Sequence, residues 1–204
     1  MKIILASESI DRRELFKRLE IPFQTLKTNV DEKKFQSEID DPIELVMLLA
    51  EIKANTAKNL LKEKKSKEDY IIIAADTIVR FQGQIIGKAK NKDQAFSILK
   101  KLNNNTHSLI TGIAVTQLNY PKIIRNFDET LVTFLPLSDK EIENYLDCDE
   151  WKGRAGAYSI KDKASIFVKK IEGSPSNVAG LPIQKIFQIL KHEFNINLLE
   201  TKKL

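Results

Sequence analysis

The hydrophobic pattern of the chain alternates between short apolar runs and longer stretches in which apolar residues recur every three or four positions. The first pattern predicts β-strands and the second predicts amphipathic helices. Strands are predicted at residues 2–6, 23–27, 70–79, 85–86, 107–117, 123–134 and 165–171, and helices at 10–19, 42–60, 91–102, 138–146 and 183–194. Because the two types are interleaved and some neighbouring strands can form hairpins, we expect an α/β fold with a mixed β-sheet flanked by helices.

Local signals support several of these boundaries. Pro42 opens the longest helical pattern, and Ser138 with Glu141 has the spacing of a capping box. The segment 81–84 is predicted to connect two strands of a hairpin, and 173–180 is predicted to be a loop. On the first helix, Leu15, Phe16 and Leu19 are expected to share one packed face.

One acidic residue interrupts the most apolar strand of the chain. Asp76 follows the run Tyr70–Ala75 and precedes Thr77-Ile78-Val79. An ionised carboxylate inside a sheet is costly unless a cation, a metal ion or hydrogen bonds compensate it. Buried ionisable groups of this kind cluster at functional sites, so we expect Asp76 to belong to one.

Composition narrows the class of protein. With 204 residues, 42% of them hydrophobic, and only seven glycines and six prolines, the chain predicts a single two-lobed domain over residues 1–204. The net charge of +5 permits an anionic partner, but the lysines are spread out and aromatic residues are not interleaved with them, so we rank a nucleic-acid protein last. No apolar run approaches the ~20 residues of a membrane span, so no membrane association is expected.

The single cysteine of the chain forms no internal disulfide. A lone thiol suits a reducing compartment, and we therefore expect a cytoplasmic protein. Cys148 stands between Asp147 and Asp149, and no electropositive setting is predicted around it. His107 and His192 are far apart and have no neighbouring cysteine, so a zinc site is not expected.

The turn after the first strand is a candidate anion site. Ser7-Glu8-Ser9 connects that strand to the first helix, whose free backbone N–H groups and positive dipole end favour phosphate. Arg12 and Arg13 lie one turn further on, and a guanidinium can fork onto phosphate oxygens. The alternative, in which Ser9 only caps the helix and both arginines are solvated, stays open.

Other charged residues are candidates only in combination. Lys53 lies on the alanine-rich part of the long helix, where it can also be an ordinary surface lysine. Lys88 follows Gly87 at a strand end, without the glycine spacing of a P-loop. Glu32, next to Asp31, can join Asp76 as a ligand of Mg²⁺ or Mn²⁺, ions that prefer carboxylates and phosphates, or it can be an isolated surface acid.

Nine short motifs occur in one order over about residues 3–190. They are Leu5–Ser9 with Arg12, Glu14-Leu15, Val30–Glu32, Ala50–Ala54, Ala75–Val79, Gly87-Lys88, His107 with Thr111-Gly112, Ala155–Tyr158 and Asn177–Pro182. Together they resemble the Maf family of nucleoside triphosphate pyrophosphatases.

The resemblance implies two lobes around a deep cleft, a fold related to that of the inosine triphosphate pyrophosphatases. It implies hydrolysis of a nucleoside triphosphate to the monophosphate and diphosphate, with Mg²⁺ or Mn²⁺ as cofactor, and a homodimer. It also implies removal of non-standard or surplus nucleotides and a link to cell-division arrest. A non-catalytic nucleotide-binding regulator of septum formation is the alternative function.

The resemblance also assigns roles to individual residues. Asp76 matches the proton acceptor, and Lys53, Lys88 and Glu32 match further positions of the catalytic site. Asp76 and Glu32 would hold the metal. The expected substrate-binding residues are Ser7, Ser9, Arg12 and Arg13, and the expected specificity residues are Asp11, Thr77 and Lys161.

Two positions depart from the family pattern. Ile10-Asp11-Arg12 stands where the family usually has Pro-Arg-Arg, and Lys161 stands where the branch acting on dTTP and UTP has a glutamine. Residues 151–160 look closer to that branch than to the branch acting on 7-methyl-GTP. A lysine donates hydrogen bonds but cannot accept them, so we expect a pyrimidine preference with weaker discrimination.

Overall fold

The computed structural model describes residues 2–36, 38–65 and 68–203. Its strands are β1 (Lys2–Ala6), β2 (Gln24–Thr25), β3 (Tyr70–Phe81), β4 (Gln84–Ile86), β5 (Thr106–Gln117), β6 (Ile124–Phe134) and β7 (Val168–Glu172). Its α-helices are α1 (Ile10–Arg18), α2 (Glu32–Gln36), α3 (Pro42–Glu63), α4 (Lys92–Leu102), α5 (Asp139–Leu146), α6 (Pro175–Val178) and α7 (Ile183–Phe194). Two 3₁₀ helices span Lys163–Ile166 and Leu198–Lys203.

All seven of these strands belong to one sheet in the order β2-β1-β3-β5-β6-β7, with β4 paired to β3. The β1 strand is parallel to both β2 and β3, whereas β4 is antiparallel to β3 and β7 is antiparallel to β6. The predicted α/β fold with a mixed sheet is therefore confirmed.

The chain divides into two compact units, each built from separate segments. The first unit comprises Met1–Asp76, Thr111–Asp128 and Gly180–Leu204, and the second comprises Thr77–Ile110 and Glu129–Ala179. The expectation of a single two-lobed domain over residues 1–204 stays a prediction.

The parallel strands β1 and β3 form the centre of the first unit because both of their faces are covered. Ile3 and Leu5 of β1 pack with Ile71 and Ile73 of β3 against the apolar face of α7. Alternate residues point to the opposite face, as the strand period requires, and pack against the alanines of α3. A strand buried on both faces reads as a continuous apolar run, which explains the sequence of β3.

Close contact between α3 and β5 depends on one glycine. A Cβ atom added at Gly112 would lie 2.3 Å from both the carbonyl carbon and the carbonyl oxygen of Val46. No side chain fits at this separation, so glycine is the residue that lets the backbone of α3 lie directly on β5.

The second unit has its own core. It includes Ile98 and Leu99 from α4, Ile142 and Leu146 from α5, and Phe134 from β6. The predicted capping box of α5 is present, with Ser138 and Glu141 bonded to each other's backbone.

Several local predictions were wrong. Leu19 is 45% exposed and lies outside α1, so it does not share the packed face. Strand β2 pairs over only two residues, and β7 begins at Val168 because Lys163–Ile166 forms a 3₁₀ turn. The segment predicted as a loop at 173–180 contains α6, and α2 was not predicted. No helix in the described ranges is long and apolar enough to cross a membrane.

Candidate active site

The candidate site of the first unit lies where β1 ends and β3 continues beyond it. Ala6 is the last residue of β1 and pairs with Ala74 of β3, so Ser7 and Asp76 both lie just beyond the paired segment. In sheets with parallel strands, ligands bind outside the carboxyl ends of the strands.

Strand alternation directs the Asp76 side chain toward α3. Ile72 and Ala74 pack against α3, and Asp76 is the next residue with the same orientation. Lys53 lies on the same helix between Ala50 and Ala54, both of which are fully buried against that face. The β3 strand and the α3 helix therefore bring a carboxylate and an ammonium group together.

The Lys53 ammonium contacts two carboxylates. Its Nζ atom donates to Asp76 Oδ1 at 2.6 Å and lies 2.6 Å from Glu32 Oε1. The side chains of Lys53 and Asp76 are only 11% and 9% exposed, and that of Glu32, at the start of α2, is 36% exposed. Lys53 is thus not a surface lysine, Glu32 is not an isolated acid, and the cation that compensates Asp76 is Lys53.

Arg12 is buried and binds backbone as well as side-chain oxygens. Its Nε atom donates to Gly180 O at 2.6 Å, and its Nη1 atom donates to Ala75 O at 2.8 Å and to Ser7 Oγ at 3.2 Å. The guanidinium therefore joins α1 to the middle of β3 and to the segment before α7. Two of its nitrogens are occupied by protein acceptors, so Arg12 has a structural role that the sequence did not predict.

The neighbouring predicted residues, Ser7, Ser9 and Arg13, differ in their contacts. Ser9 is the N-cap of α1, and its Oγ accepts a hydrogen bond from Arg12 N at 3.5 Å, while Ser7 Oγ accepts one from Ser9 N at 3.2 Å. Arg13 is half-buried, and its guanidinium has no hydrogen bond or ion pair with any described residue. Arg13 is therefore the more accessible arginine for an anionic ligand.

Burial and nearby acids act on the charge of Arg12 in opposite directions. Burial lowers the pKa of Arg12, while the carboxylates of Asp76, Glu32 and Asp11 favour its protonated form. Arginine stays charged in proteins even so, because its ordinary pKa lies far above neutral pH. The site around Asp76 therefore combines two cationic and several anionic side chains.

Three of the remaining predicted residues, Thr77, Lys88 and Lys161, belong to the second unit. Lys88 is exposed and forms an antiparallel bridge with Ala155, and Gly156 N donates to Gly87 O at 3.4 Å. Thr77, in β3, and Lys161 are half-buried, and both interact with other residues. Asp11, in the first turn of α1 in the first unit, is also half-buried and has a partner.

A buried aromatic cluster supports the segment that pairs with Lys88. His107 Nε2 and Tyr158 Oη lie 2.8 Å apart, and the rings of His107, Phe134 and Tyr158 contact one another edge to face. Burial lowers the pKa of His107 to about 4 and raises the pKa of Tyr158 well above its ordinary value. His107 is therefore neutral at pH 7, and this hydrogen bond holds the Ala155–Tyr158 segment in place.

The surroundings of Cys148 differ from the prediction. Lys163 Nζ lies 2.9 Å from Cys148 Sγ, so the thiol does have a cation beside it. The pair was not predicted because fifteen residues separate the two side chains in the sequence.

The carboxylates of Asp76 and Glu32 fit a divalent cation in number and type. The described residues hold no group of three or more Asp, Glu, His or Cys side chains arranged for a metal ion. Asp76 and Glu32 nevertheless converge on one point, because both contact the same ammonium group. Mg²⁺ usually binds one or two carboxylates and completes its shell with water and substrate phosphates, and this pair meets that requirement.

Sequence reasoning missed contacts that depend on the backbone. The carbonyl oxygens of Ala75 and Gly180 hold Arg12, and Gly180 is 168 residues away from it. The only sequence signals were Gly180 and Pro182, which indicate a turn. They do not indicate that Arg12 would bind there.

The fold and this site define an α/β protein with a lysine–carboxylate cluster at the carboxyl end of a parallel strand pair. The family described as Maf-like protein matches residues 2–193. The chain therefore belongs to the Maf family, as the resemblance predicted.

Relatives of known name extend this result. The chain is 44% identical to a dTTP/UTP pyrophosphatase of Thermoanaerobacter sp., over 98% of this chain and all of the relative. Proteins of the same name from Caldanaerobacter subterraneus and Alkaliphilus oremlandii are also 44% identical, over 96% and 97% of this chain and 91% and 99% of theirs.

Proposed function

We propose that this protein is a nucleoside triphosphate pyrophosphatase that acts on dTTP and UTP. The observation that carries the proposal is the position of the Lys53 ammonium between Asp76 of β3 and Glu32 of α2. Membership of the Maf family and the shared name of the relatives support the same activity.

The reaction transfers the α-phosphoryl group to water. The water oxygen attacks the α-phosphorus, the bond to the bridging oxygen breaks, and pyrophosphate leaves with the electron pair. Asp76 accepts the proton of the attacking water. Its Oδ1 atom is bonded to Lys53, whereas its Oδ2 atom accepts no hydrogen bond from any described residue and is the oxygen that takes the proton.

Cationic side chains stabilise the charge that develops on the phosphate oxygens. Lys53 holds Asp76 in position and offers positive charge at the same place, which lowers the energy of the anionic transition state. Arg13, on the accessible side of α1, and Lys88, in the second unit, bind phosphate oxygens. Ser7 and Ser9 shape the turn, and Arg12 fixes it to β3 through Ala75.

Asp76 and Glu32 would hold a divalent cation, Mg²⁺ or Mn²⁺. When bound, such an ion supplies positive charge to the phosphates and favours ionisation of a nearby water.

The choice of base depends on residues at which this chain departs from the family. Lys161 donates to a carbonyl oxygen of a pyrimidine but cannot supply the paired acceptor of an amide. Asp11 places a negative charge in the first turn of α1, where it repels a phosphate. We expect pyrimidine triphosphates to be preferred, with Thr77, Asp11 and Lys161 setting a weaker discrimination than in relatives that match the family pattern.

A panel of nucleoside triphosphates with Mg²⁺ or Mn²⁺ tests the proposal. Pyrophosphate release is measured for the wild type, for Asp76→Asn and for Asp93→Asn, an exposed acid of α4 that serves as the matched control. We expect release from dTTP and UTP by the wild type and the control, and a loss of at least about 100-fold in Asp76→Asn, the range for removal of a general base.

Three results would contradict the proposal. No release from any triphosphate, together with tight nucleotide binding, would favour the alternative of a non-catalytic regulator. Full activity of Asp76→Asn would remove the assigned proton acceptor. Equal turnover of all common triphosphates, or a purine preference, would overturn the choice of substrate.

The predicted homodimer also stays part of the proposal. Light scattering of the purified protein at micromolar concentration should give twice the mass of the 23.3 kDa chain. A mass equal to one chain would contradict it.

A further inference from the structure

Gly112 of β5 brings two backbones of the first unit into direct contact. A Cβ atom at this position would lie 2.3 Å from the carbonyl carbon and oxygen of Val46 and 2.5 Å from Met47 N. Ordinary contacts of a Cβ atom begin at 3.4 Å, so an alanine would force α3 and β5 apart by about 1 Å. Thr111-Gly112 is one of the nine family motifs, and the proposed reaction does not use it.

Strand alternation shows which residues of β5 face α3. Thr116 Oγ1 accepts a hydrogen bond from Nζ of Lys58, a residue of α3, at 3.5 Å, and Ala114 packs with the alanines of α3. The residues between these positions pack on the other side of the sheet, with α7. Gly112 has the orientation of Ala114 and Thr116, as the two-residue period requires. Its missing side chain therefore lies beneath α3.

Lys53 shares a helix face with the residue that Gly112 contacts. Val46 and Lys53 are seven residues apart, which is about two turns of α3, and both are buried. Proline occurs in α3 only at its first position, and the helix contains no glycine, so no kink-forming residue lies between Val46 and Lys53. A displacement of the helix at Val46 therefore also displaces Lys53.

The carboxylate that Lys53 contacts belongs to the sheet. Asp76 lies in β3, which is a hydrogen-bonded neighbour of β5. The distance from Lys53 Nζ to Asp76 Oδ1 is 2.6 Å, and it depends on the separation between α3 and these strands. An added separation of about 1 Å would break a hydrogen bond of this length or force Lys53 into another rotamer.

We propose that Gly112 is a positioning residue of the site, because its lack of a side chain sets the separation between α3 and the sheet at which the Lys53 ammonium contacts Asp76. It acts on the two charged groups only through α3. The effect on catalysis rests on the proposed function, since that function makes Asp76 the proton acceptor. The dependence of the Lys53–Asp76 contact on Gly112 does not rest on it.

A double-mutant cycle separates this role from a general loss of stability. Gly112→Ala and Lys53→Gln are made singly and together, and kcat/KM for UTP and the midpoint of urea unfolding are measured for each protein. Leu190→Ala, alone and with Lys53→Gln, is the control. This buried residue of α7 packs on the opposite face of the sheet, and its truncation lowers stability by leaving a cavity. Circular dichroism checks that each variant is folded in the assay.

We expect Gly112→Ala to lower kcat/KM by about tenfold or more, because misplacing a reacting group by about 1 Å has effects of this size or larger. In the Lys53→Gln background the same change should cost less than about twofold, since the contact that it disturbs is already absent. Lys53→Gln should lower the urea midpoint of Gly112→Ala by less than about half as much as it lowers that of the wild type.

Leu190→Ala should behave differently from Gly112→Ala. Its urea midpoint should fall, but kcat/KM should stay within about twofold of the wild type, and Lys53→Gln should have its full effect in this background. Unchanged kcat/KM in folded Gly112→Ala would overturn the proposal. An equal loss from Gly112→Ala with and without Lys53, or an equal loss in Leu190→Ala, would overturn it too, because the effect would then not pass through the Lys53–Asp76 contact.

A milder variant decides the question if Gly112→Ala does not fold. Ala114→Ser adds one oxygen atom on the same face of β5, and it should lower kcat/KM by about three- to fivefold, with a smaller loss in the Lys53→Gln background. Equal losses in the two backgrounds would refute the role of this separation. Failure of the proposed function would look different. If the wild type hydrolysed no triphosphate, the urea midpoints would still show whether the Lys53–Asp76 contact depends on the strand face beneath α3.

Discussion

At the scale of single residues, Lys53 holds a position in which one positive charge is shared by two carboxylates. Its ammonium lies at 2.6 Å from both Asp76 and Glu32, so this group of three side chains carries one net negative charge when all are ionised. A group with this net charge attracts a divalent cation, and its ammonium holds Asp76 Oδ1 in place.

Replacing Lys53 with glutamine tests this role. We expect kcat/KM to fall by about 100-fold or more, because the transition state loses a charge placed beside it. The variant should also be less stable by about 3 kcal/mol, since two carboxylates remain without their cation. Steady-state kinetics and urea unfolding measure the two effects separately.

Lys58 supplies a matched control on the same helix. It is also buried, and its ammonium donates to Tyr120 O and to Thr116 Oγ1 in place of a carboxylate. Lys58→Gln should lower stability but leave kcat/KM within about twofold, as expected for a residue outside the site. If the two variants lost activity equally, the loss would follow from burial of a lysine and not from the contact with Asp76.

At the scale of elements, the first helix is attached to the rest of its unit through Arg12. Its guanidinium donates to Ser7 in the turn before α1, to Ala75 in the middle of β3 and to Gly180 in the segment before α7. Arg13, one residue further along, faces the accessible side without a protein partner among the residues described. Of the two adjacent arginines, Arg12 therefore binds protein oxygens, and Arg13 is the one left open to a ligand.

Exchanging each arginine for lysine should separate the two roles. Arg12→Lys should reduce the free energy of unfolding by about 2–3 kcal/mol, because a single ammonium cannot reproduce the fork that spans Ala75 and Gly180. Arg13→Lys should change stability by less than about 0.5 kcal/mol and raise KM for the nucleotide. Urea unfolding and steady-state kinetics of both variants provide the measurements, and a reversed pattern would refute the assignment.

The elements that the sequence predicted well are those with several turns or strand periods. The α3, α4, α5 and α7 helices show two or more repeats of the apolar pattern, and Asp41, Asn91 and Ser138 cap the first three. By contrast, α2 and α6 have five and four residues, which is too short for a helical period to be recognised. Strand β2 was predicted too long because Phe23 and Leu26 are apolar for packing and do not extend the pairing.

The candidate site could be predicted in its residue types but not in its contacts. Asp76 was recognisable because it stands in an apolar strand, and the family pattern pointed to Lys53 and Glu32. Nothing in the local sequence showed that one ammonium would touch both acids, since Lys53 is 23 positions away from Asp76 and 21 positions away from Glu32. The structural role of Arg12 was also missed, because its acceptors are backbone carbonyls and have no residue-type signature.

At the scale of the whole molecule, a buried histidine links stability to pH. His107 is 2% exposed, and its Nδ1 atom has no hydrogen-bond partner among the described residues. Protonation would place a charge among the rings of Phe134 and Tyr158. The native state therefore rejects a proton that the unfolded chain accepts.

The free energy of unfolding should consequently decrease as the pH falls. Unfolded histidine has a pKa near 6.5, whereas burial lowers the pKa of His107 to about 4 in the folded protein. Above pH 6.5 the residue contributes no pH dependence, and between pH 6.5 and 4 it should cost about 3 kcal/mol of stability. Urea unfolding at a series of pH values measures this slope.

Two substitutions isolate the histidine from the carboxylates that also titrate in this range. His107→Gln keeps a hydrogen-bonding group near Tyr158 but cannot bind a proton, so its profile between pH 6.5 and 4 should be flatter than that of the wild type. His192→Gln, at an exposed position of α7, should leave the profile unchanged. An identical slope in all three proteins would refute the role of His107.

The hydrogen bond between Arg12 and Gly180 has a consequence for the order of events during synthesis. Arg12 leaves the ribosome early, but its acceptor is made 168 residues later. At about 5–20 residues per second, that interval is roughly ten to thirty seconds. A growing chain therefore contains Glu32, Lys53 and Asp76 well before Gly180 is made and Arg12 can bind it. The site matures only when the last segment of the first unit, from Gly180 onward, returns to the strands made first.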